Sequence, residues 1–323
     1  MNLQTSPRDV TARSPLPQRD DRRDGVVGPV FGRASRPAPT LSFEFFPPKS
    51  EKMEKTLWET ISKLEPLKPR FVSVTCGAGG STTERTFDTV TRIQRETGLP
   101  AAAHMTCASA PKVAIDEMAR GYWDAGVRHI VALRGDARSE DGVYAPNPDG
   151  YAYADNLVAG LREIHDFEIS VSAYPEVHPD APSAQFDLDH LKRKIDNGAT
   201  RAITQFFFDN EDYYRFVDKA RGAGIEVPIV PGILPITNFA NTVKFAGMCK
   251  ARIPDWLAEL FEGLDDDPAT RQAVAATVAA EQCRLLQDQG IDEFHIYTLN
   301  RAELTLALCT MLGVRAETAA TAG

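Results

Sequence analysis

The chain has 323 residues, of which 43% are hydrophobic and 25% charged, and its formal net charge is -9. That length suffices for one large core, whereas the acidic balance argues against nucleic acid as a partner, since phosphate binding needs clustered Lys and Arg. No apolar run approaches the ~18 residues of a membrane span, and the five cysteines form no C-x-x-C pair, which fits a reduced, cytoplasmic protein.

Residues 1–40 are rich in Arg, Pro and Asp, poor in aliphatics and without periodicity. The expectation is a disordered extension that cannot bury enough surface to offset the entropy of ordering. Its Arg and Ser content suggests a transit peptide, but Asp9, Asp20, Asp21 and Asp24 break that pattern. From Leu41 onward, strand-like runs at Leu41–Phe46, Phe71–Thr75, Ala101–Met105, His129–Leu133, Ile169–Ala173, Ala202–Phe206, Pro228–Pro231 and Phe294–Tyr297 alternate with helical patterns near 51–65, 83–96, 111–125, 155–165, 187–197, 211–222, 238–250 and 300–312. Gly98, Gly126, Gly198 and Gly224 stand where helices commonly stop. Eight β-then-α units predict an α/β protein, a (β/α)8 TIM barrel over 41–313, with an extra helical pair in 252–290 before the last strand and a frayed tail over 314–323.

In such a barrel the site forms at the C-terminal strand ends. The first strand brings Glu44 there. Alternation puts Leu41, Phe43 and Phe45 on one face and Ser42, Glu44 and Phe46 on the other. A carboxylate among aromatics is costly unless paired, and desolvation raises its pKa toward the range of a general acid; the same run also fits an edge-strand Glu facing water. The following strand ends offer Thr75, Cys76, His104, Arg134, Gly135, Asp136, Tyr174, Glu176, His178, Gln205, Tyr297 and Arg301. Gly77-Ala78-Gly79-Gly80 lacks the third glycine of a dinucleotide loop and reads as a turn. His104, His178, His295, Asp136 and Glu176 are of metal-ligating type, but no pair has H-x-H or H-E-x-x-H spacing, so no metal is expected. Phe206-Phe207-Phe208 reads first as core. In Asp187–Asn197 the apolar stripe is Leu188, Leu191 and Ile195, which leaves Arg193 and Lys194 either to hold a phosphate or to face water.

These motifs carry a resemblance. Phe43-Glu44-Phe45-Phe46-Pro47-Pro48, His104-Met105-Thr106-Cys107, Leu133-Arg134-Gly135-Asp136, Tyr174-Pro175-Glu176-Val177-His178, Thr204-Gln205-Phe206-Phe207-Phe208-Asp209, Pro231-Gly232-Ile233-Leu234-Pro235 and Tyr297-Thr298-Leu299-Asn300-Arg301 resemble methylenetetrahydrofolate reductase, in order from about Leu41 to Gly313. The resemblance is to the short bacterial form, without the eukaryotic C-terminal regulatory domain. It implies a barrel that holds FAD without a Rossmann fold. The positions matching the family's flavin contacts are Thr75, Cys76, Ala78, His104, Arg134, Gly135, Asp136, Tyr153, Ala154, Tyr174, His178, Asp187, His190, Arg193 and Lys194. Those matching its folate contacts are Glu44, Asp136, Gln205, Asn241, Phe245, Tyr297, Leu299 and Arg301. Two positions depart from the pattern: His190 stands where many relatives carry Asn, and Asn241 where they carry Gln.

The implied activity is ping-pong reduction of 5,10-methylenetetrahydrofolate to 5-methyltetrahydrofolate by NAD(P)H through the flavin, in one-carbon metabolism and methionine supply. Glu44 would protonate the departing nitrogen and Asp136 would stabilise the folate-derived cation. Gln205 would read the pterin amide edge and Phe245 would stack on whichever planar ring is bound. Homo-oligomeric assembly is the expectation for partners. A metal-dependent hydrolase on His104, His178 and Asp136, or a flavin- or folate-binding barrel without turnover, are the rival readings.

Overall fold

The computed structural model describes residues 37–77, 82–136 and 144–316. Ala78, Gly79 and Gly80, most of the expected extension and most of the expected tail lie outside them. The described strands are β1 Thr40–Phe45, β2 Val72–Val74, β3 Ala101–Thr106, β4 His129–Leu133, β5 Glu168–Ala173, β6 Arg201–Thr204, β7 Ile229–Val230, β8 Gly232–Ile233 and β9 Glu293–Tyr297. The helices are α1 Glu51–Leu64, α2 Thr83–Glu96, α3 Lys112–Asp124, α4 Ala154–Ile164, α5 Ala184–Asp196, α6 Asn210–Gly222, α7 Phe239–Cys249, α8 Asp255–Phe261, α9 Pro268–Asp288 and α10 Ala302–Met311. Local chemistry sets many of these bounds. Ser50, Thr82, Ser183, Asp209, Asn238 and Asp267 each accept from a backbone N–H of the helix they precede, as N-caps do.

All strands pair in parallel, in the order β7-β6-β5-β4-β3-β2-β1-β9-β8. The expected strand Pro228–Pro231 is two short runs because Pro231 has no N–H to donate. Ile229–Val230 pairs with β6 and Gly232–Ile233 with β9, while the Pro231 carbonyl accepts from the His295 N–H at 3.0 Å. The two ends of the strand order are therefore halves of one strand, and the sheet closes on itself as a (β/α)8 barrel. The extra pair expected in 252–290 is α8 and α9. Gly232 sits where a side chain cannot: an added Cβ would lie 2.2 Å from the Thr204 carbonyl oxygen and 2.7 Å from the Tyr297 ring.

The main core lies between sheet and helices. Leu41, Phe43 and Phe45 are buried in it with Leu57, Ile61, Val90, Leu161 and Phe294, as their alternation along β1 predicts. Inside the barrel, Phe71, Ala102, Val131 and Ile203 form a separate apolar plug. At the N-terminal strand ends the buried Arg201 forms an ion pair with Glu293 and a longer one, at 3.5 Å, with Glu168. Beside it His129, 5% exposed, shares a 2.8 Å hydrogen bond with Ser170 and meets the Phe71 ring edge-on at 4.3 Å.

Burial, and secondarily the neighbouring Arg201 cation, lower the His129 pKa to about 3. An unfolded imidazole takes its proton near pH ~6.5, so between those values the unfolded chain binds more protons than the folded one. Stability is complete above that window and falls as the pH drops through it, by at most about 1.4 kcal/mol per pH unit from this residue. Urea titrations along the acid limb should show a shallower slope for His129→Gln. An unchanged slope would assign the acid loss to other groups.

Candidate active site

Glu44 stands at the C-terminal end of β1 with its side chain 18% exposed. The register of β1 against β9 sets Ser42 beside His295 and Glu44 beside Tyr297. Ser42 Oγ and His295 Nδ1 are 2.8 Å apart, and His295 Nε2 reaches Glu44 Oε2 at 3.4 Å. From β3, His104 Nε2 approaches the same oxygen at 3.3 Å. Burial raises the Glu44 pKa, but the His104 and His295 imidazoles, when protonated, outweigh it and hold the carboxyl at about 2. The rise expected from desolvation is thereby corrected to a fall, because the carboxylate is paired: His295 Nε2 lies within hydrogen-bond distance, and His104 Nε2 makes an ion-pair contact without a formed hydrogen bond.

The backbone of that strand end is held as well. Thr298 gives the Glu44 carbonyl two hydrogen bonds, from its N–H at 3.2 Å and its hydroxyl at 2.7 Å. Asn300, in a left-handed conformation with φ 53°, accepts from the Phe46 N–H at 3.1 Å and donates to the Phe46 carbonyl at 2.9 Å. Asn is among the few non-glycine residues that adopt that backbone readily.

The residues matched to flavin contacts gather along strands 2 to 5 and the helices after β4 and β5. Thr75 Oγ1 is buried and makes no hydrogen bond; Cys76, half-buried, follows it. Arg134 lies over the Tyr144 ring at 4.2 Å and binds Asp180 at 2.7 Å, with Asp136 at 4.0 Å. Asp136 is exposed. Gly135 has φ +83°, and an added Cβ would lie 3.0 Å from Thr106 Cβ, so the turn needs glycine. Tyr153 caps α4, next to the buried Ala154, and its ring meets that of His190 at 5.3 Å. Tyr174 meets His178 edge-on at 4.7 Å, and Asp187 accepts from the His178 N–H at 2.9 Å. Burial and neighbouring cations lower both imidazoles, Arg134 acting on His178 and Arg193 on His190. Lys194 donates to the Ser172 carbonyl at 2.5 Å, and desolvation pulls its ammonium down to about 8. The half-exposed Arg193 has its Nε 3.5 Å from Asp155.

The folate-matched residues fall into two groups. Tyr297 donates to the Thr204 carbonyl at 2.7 Å, and burial, then Glu44, Tyr174 and Cys249, push its phenol up. Gln205 is already engaged, its amide donating to Cys249 Sγ at 3.2 Å and accepting from the Phe206 N–H at 3.0 Å. Leu299 has φ 51° and packs against an apolar cluster that includes Phe206, Phe208, Leu234, Ile236 and Leu257. Asn241 and Phe245 lie on the exposed flank of α7, and Arg301 caps α10. No hydrogen bond ties these three side chains to the Glu44 group. On α7 the buried positions are Thr242 and Ala246, whereas Val243 and Phe245 are both 44% exposed. Helical spacing alone predicts an apolar stripe of Phe239, Val243 and Ala246 on this helix, and the fold leaves Val243 out of it. Phe206, Phe207 and Phe208 are core residues.

Sequence reasoning left Ser42 out of the site and took His295 only as a possible metal ligand. The signal was available, since Ser42 shares the face of Glu44 and His295 that of Tyr297. Among the described residues no group of three or more His, Cys, Asp or Glu is placed to hold a metal ion, and no helix is long and apolar enough to cross a membrane.

Comparison with known proteins gives the fold and the family. A solved protein from Clostridium thermocellum, described as binding two copies of 5-methyl-5,6,7,8-tetrahydrofolic acid, superposes with a TM-score of 0.60 over 85% of this chain and 94% of its own, at 13% identity, a likeness of fold. The 5,10-methylenetetrahydrofolate reductase of Pectobacterium carotovorum subsp. carotovorum is 53% identical over 279 residues, 86% of this chain and 92% of that protein. The protein of the same name from Escherichia coli (strain K12) is 53% identical over 275 residues, 85% and 91% of the two chains. The family profile of methylenetetrahydrofolate reductase matches residues 32–313, and the chain belongs to that family.

Proposed function

We propose that this enzyme reduces 5,10-methylenetetrahydrofolate to 5-methyltetrahydrofolate with FAD resident in the barrel mouth and NAD(P)H as the electron donor. Folate reduction follows from family membership. The observation that carries the assignment of the site is Glu44 lodged between His104 and His295 at the strand ends. The residues present suit FAD. Arg134, Arg193 and Lys194 supply cations for a diphosphate, and the buried Thr75 Oγ1 and Asp155 Oδ1 lack partners. When bound, FAD would supply the two-electron store that lets one mouth serve two substrates in turn.

The chain's own residues do the rest. Ring opening of the folate needs a proton at the departing nitrogen, and Glu44, with His104 and His295 beside it, is the group placed to pass one. With the imidazoles neutral, their charge no longer lowers Glu44, and burial is opposed only by the hydrogen bonding they offer it, which makes the carboxyl a better proton carrier. Ser42 fixes the His295 ring through Nδ1, leaving Nε2 toward the carboxylate. Gln205 must turn from Cys249 and the Phe206 N–H to meet a pterin edge. The exposed Phe245 can stack on a nicotinamide or an aminobenzoate ring.

Anaerobic stopped-flow tests the reading: purified protein mixed with NADH or NADPH should bleach its flavin absorbance, and methylenetetrahydrofolate should restore it. Phe245→Ala should weaken both half-reactions, since a ring stack contributes about 0.5–1.5 kcal/mol beyond its area burial. Double-reciprocal plots should stay parallel. Intersecting lines would mean that both substrates bind together, and the shared site would have to be abandoned.

A further inference from the structure

We propose that Asp155 is a positioning residue that sets Arg193 and Lys194 for the FAD diphosphate, an inference that rests on the flavin reading above. Asp155 lies in the first turn of α4, where the helix dipole favours an ionised carboxylate. It is 9% exposed. One carboxylate oxygen, Oδ2, is 3.5 Å from Arg193 Nε, while Oδ1 is buried with no hydrogen-bond partner. A buried carboxylate oxygen left bare is costly, and groups of that kind concentrate where a site needs them. The Asp155 carbonyl accepts from Asn197 Nδ2 at 2.9 Å, which ties the start of α4 to the end of α5. The carboxylate is therefore fixed relative to the helix that carries both cations.

Lys194 needs that support more than Arg193 does. Its ammonium is desolvated against β5, and the carboxylates that favour its charged form are Asp187 from α5 and Asp155 from α4. The other charged and titratable groups at this corner are Arg193 and His190 on α5 and His178 in the loop before it, and protonation of either imidazole would work against the ammonium. Arginine keeps its proton in any case. Asp155 would thus act twice: it orients the guanidinium and keeps the ammonium charged.

The two roles open to Asp155 predict opposite signs. A bystander carboxylate beside a diphosphate repels it, so its removal should tighten binding at every pH. A positioning carboxylate should do the reverse, and most strongly where Lys194 begins to lose its proton. The test titrates FAD into flavin-stripped protein by fluorescence, below and above the pH of about 8 at which Lys194 titrates. Asp155→Asn should weaken FAD binding by about tenfold above that pH and by less below it. Asp155→Glu, which keeps the charge, should retain the wild-type pH profile and carries the test if the Asn variant fails to fold. Binding by the Asn variant that equals or exceeds wild type, or a loss equal on both sides, overturns the proposal while the flavin reading stands. A Glu variant whose profile moves like that of the Asn variant also overturns it. Wild-type protein that takes up no FAD overturns the proposal and the flavin reading together.

Discussion

Glu44→Gln should give a protein that folds, holds FAD and is reduced by NAD(P)H, yet reduces methylenetetrahydrofolate at least about a hundredfold more slowly, the low end for a lost general acid. The amide matches the carboxylate in shape, and the backbone of residue 44 is held by Thr298 whatever the side chain carries. What disappears is an acid in contact with both His104 and His295. The separation of the two half-reactions makes the result diagnostic, because flavin reduction by nicotinamide needs no proton at the folate nitrogen. Near-wild-type folate reduction by this variant would place the acid elsewhere.

Removing both Arg193 and Lys194 should release the flavin. A charge-assisted hydrogen bond contributes about 1.5–3 kcal/mol, so the double alanine variant should lose roughly 3–6 kcal/mol, or about two to four powers of ten in affinity. Lys194, desolvated and bonded to the Ser172 carbonyl, should account for more of this than the half-exposed Arg193. Flavin content after extensive dialysis decides it: full retention would mean that neither residue holds the diphosphate.

The barrel was legible because its signals are local. Alternation in Leu41–Phe45, capping residues such as Ser50 and Ser183, and Pro254 and Pro268 ahead of the extra helices act within a few residues of one another. Glu44 was legible as a misfit, a carboxylate among aromatics. Its electrostatics were not, since the groups that settle them arrive from elsewhere: His295 lies 251 residues away in the chain. Local burial argued for a raised pKa, and tertiary charge reversed the direction. Gln205 shows the same limit, because its amide is turned inward by Cys249, 44 residues further on. Val243 failed for a different reason: apolar spacing gives a helix's apolar face but does not say how much of it the fold covers.

Closure of the barrel through β1 and β9 orders events during synthesis. Ser42 leaves the ribosome 253 residues before His295, which at ordinary elongation speeds is roughly 10–50 s. For that interval β1 pairs only with β2, and its other edge, flanked by Leu41, Phe43 and Phe45, is open to wrong partners. A chain stalled before Phe294 carries the strand that bears the acid but not the strand that sets it, so the chemistry becomes available only once β9 has been made.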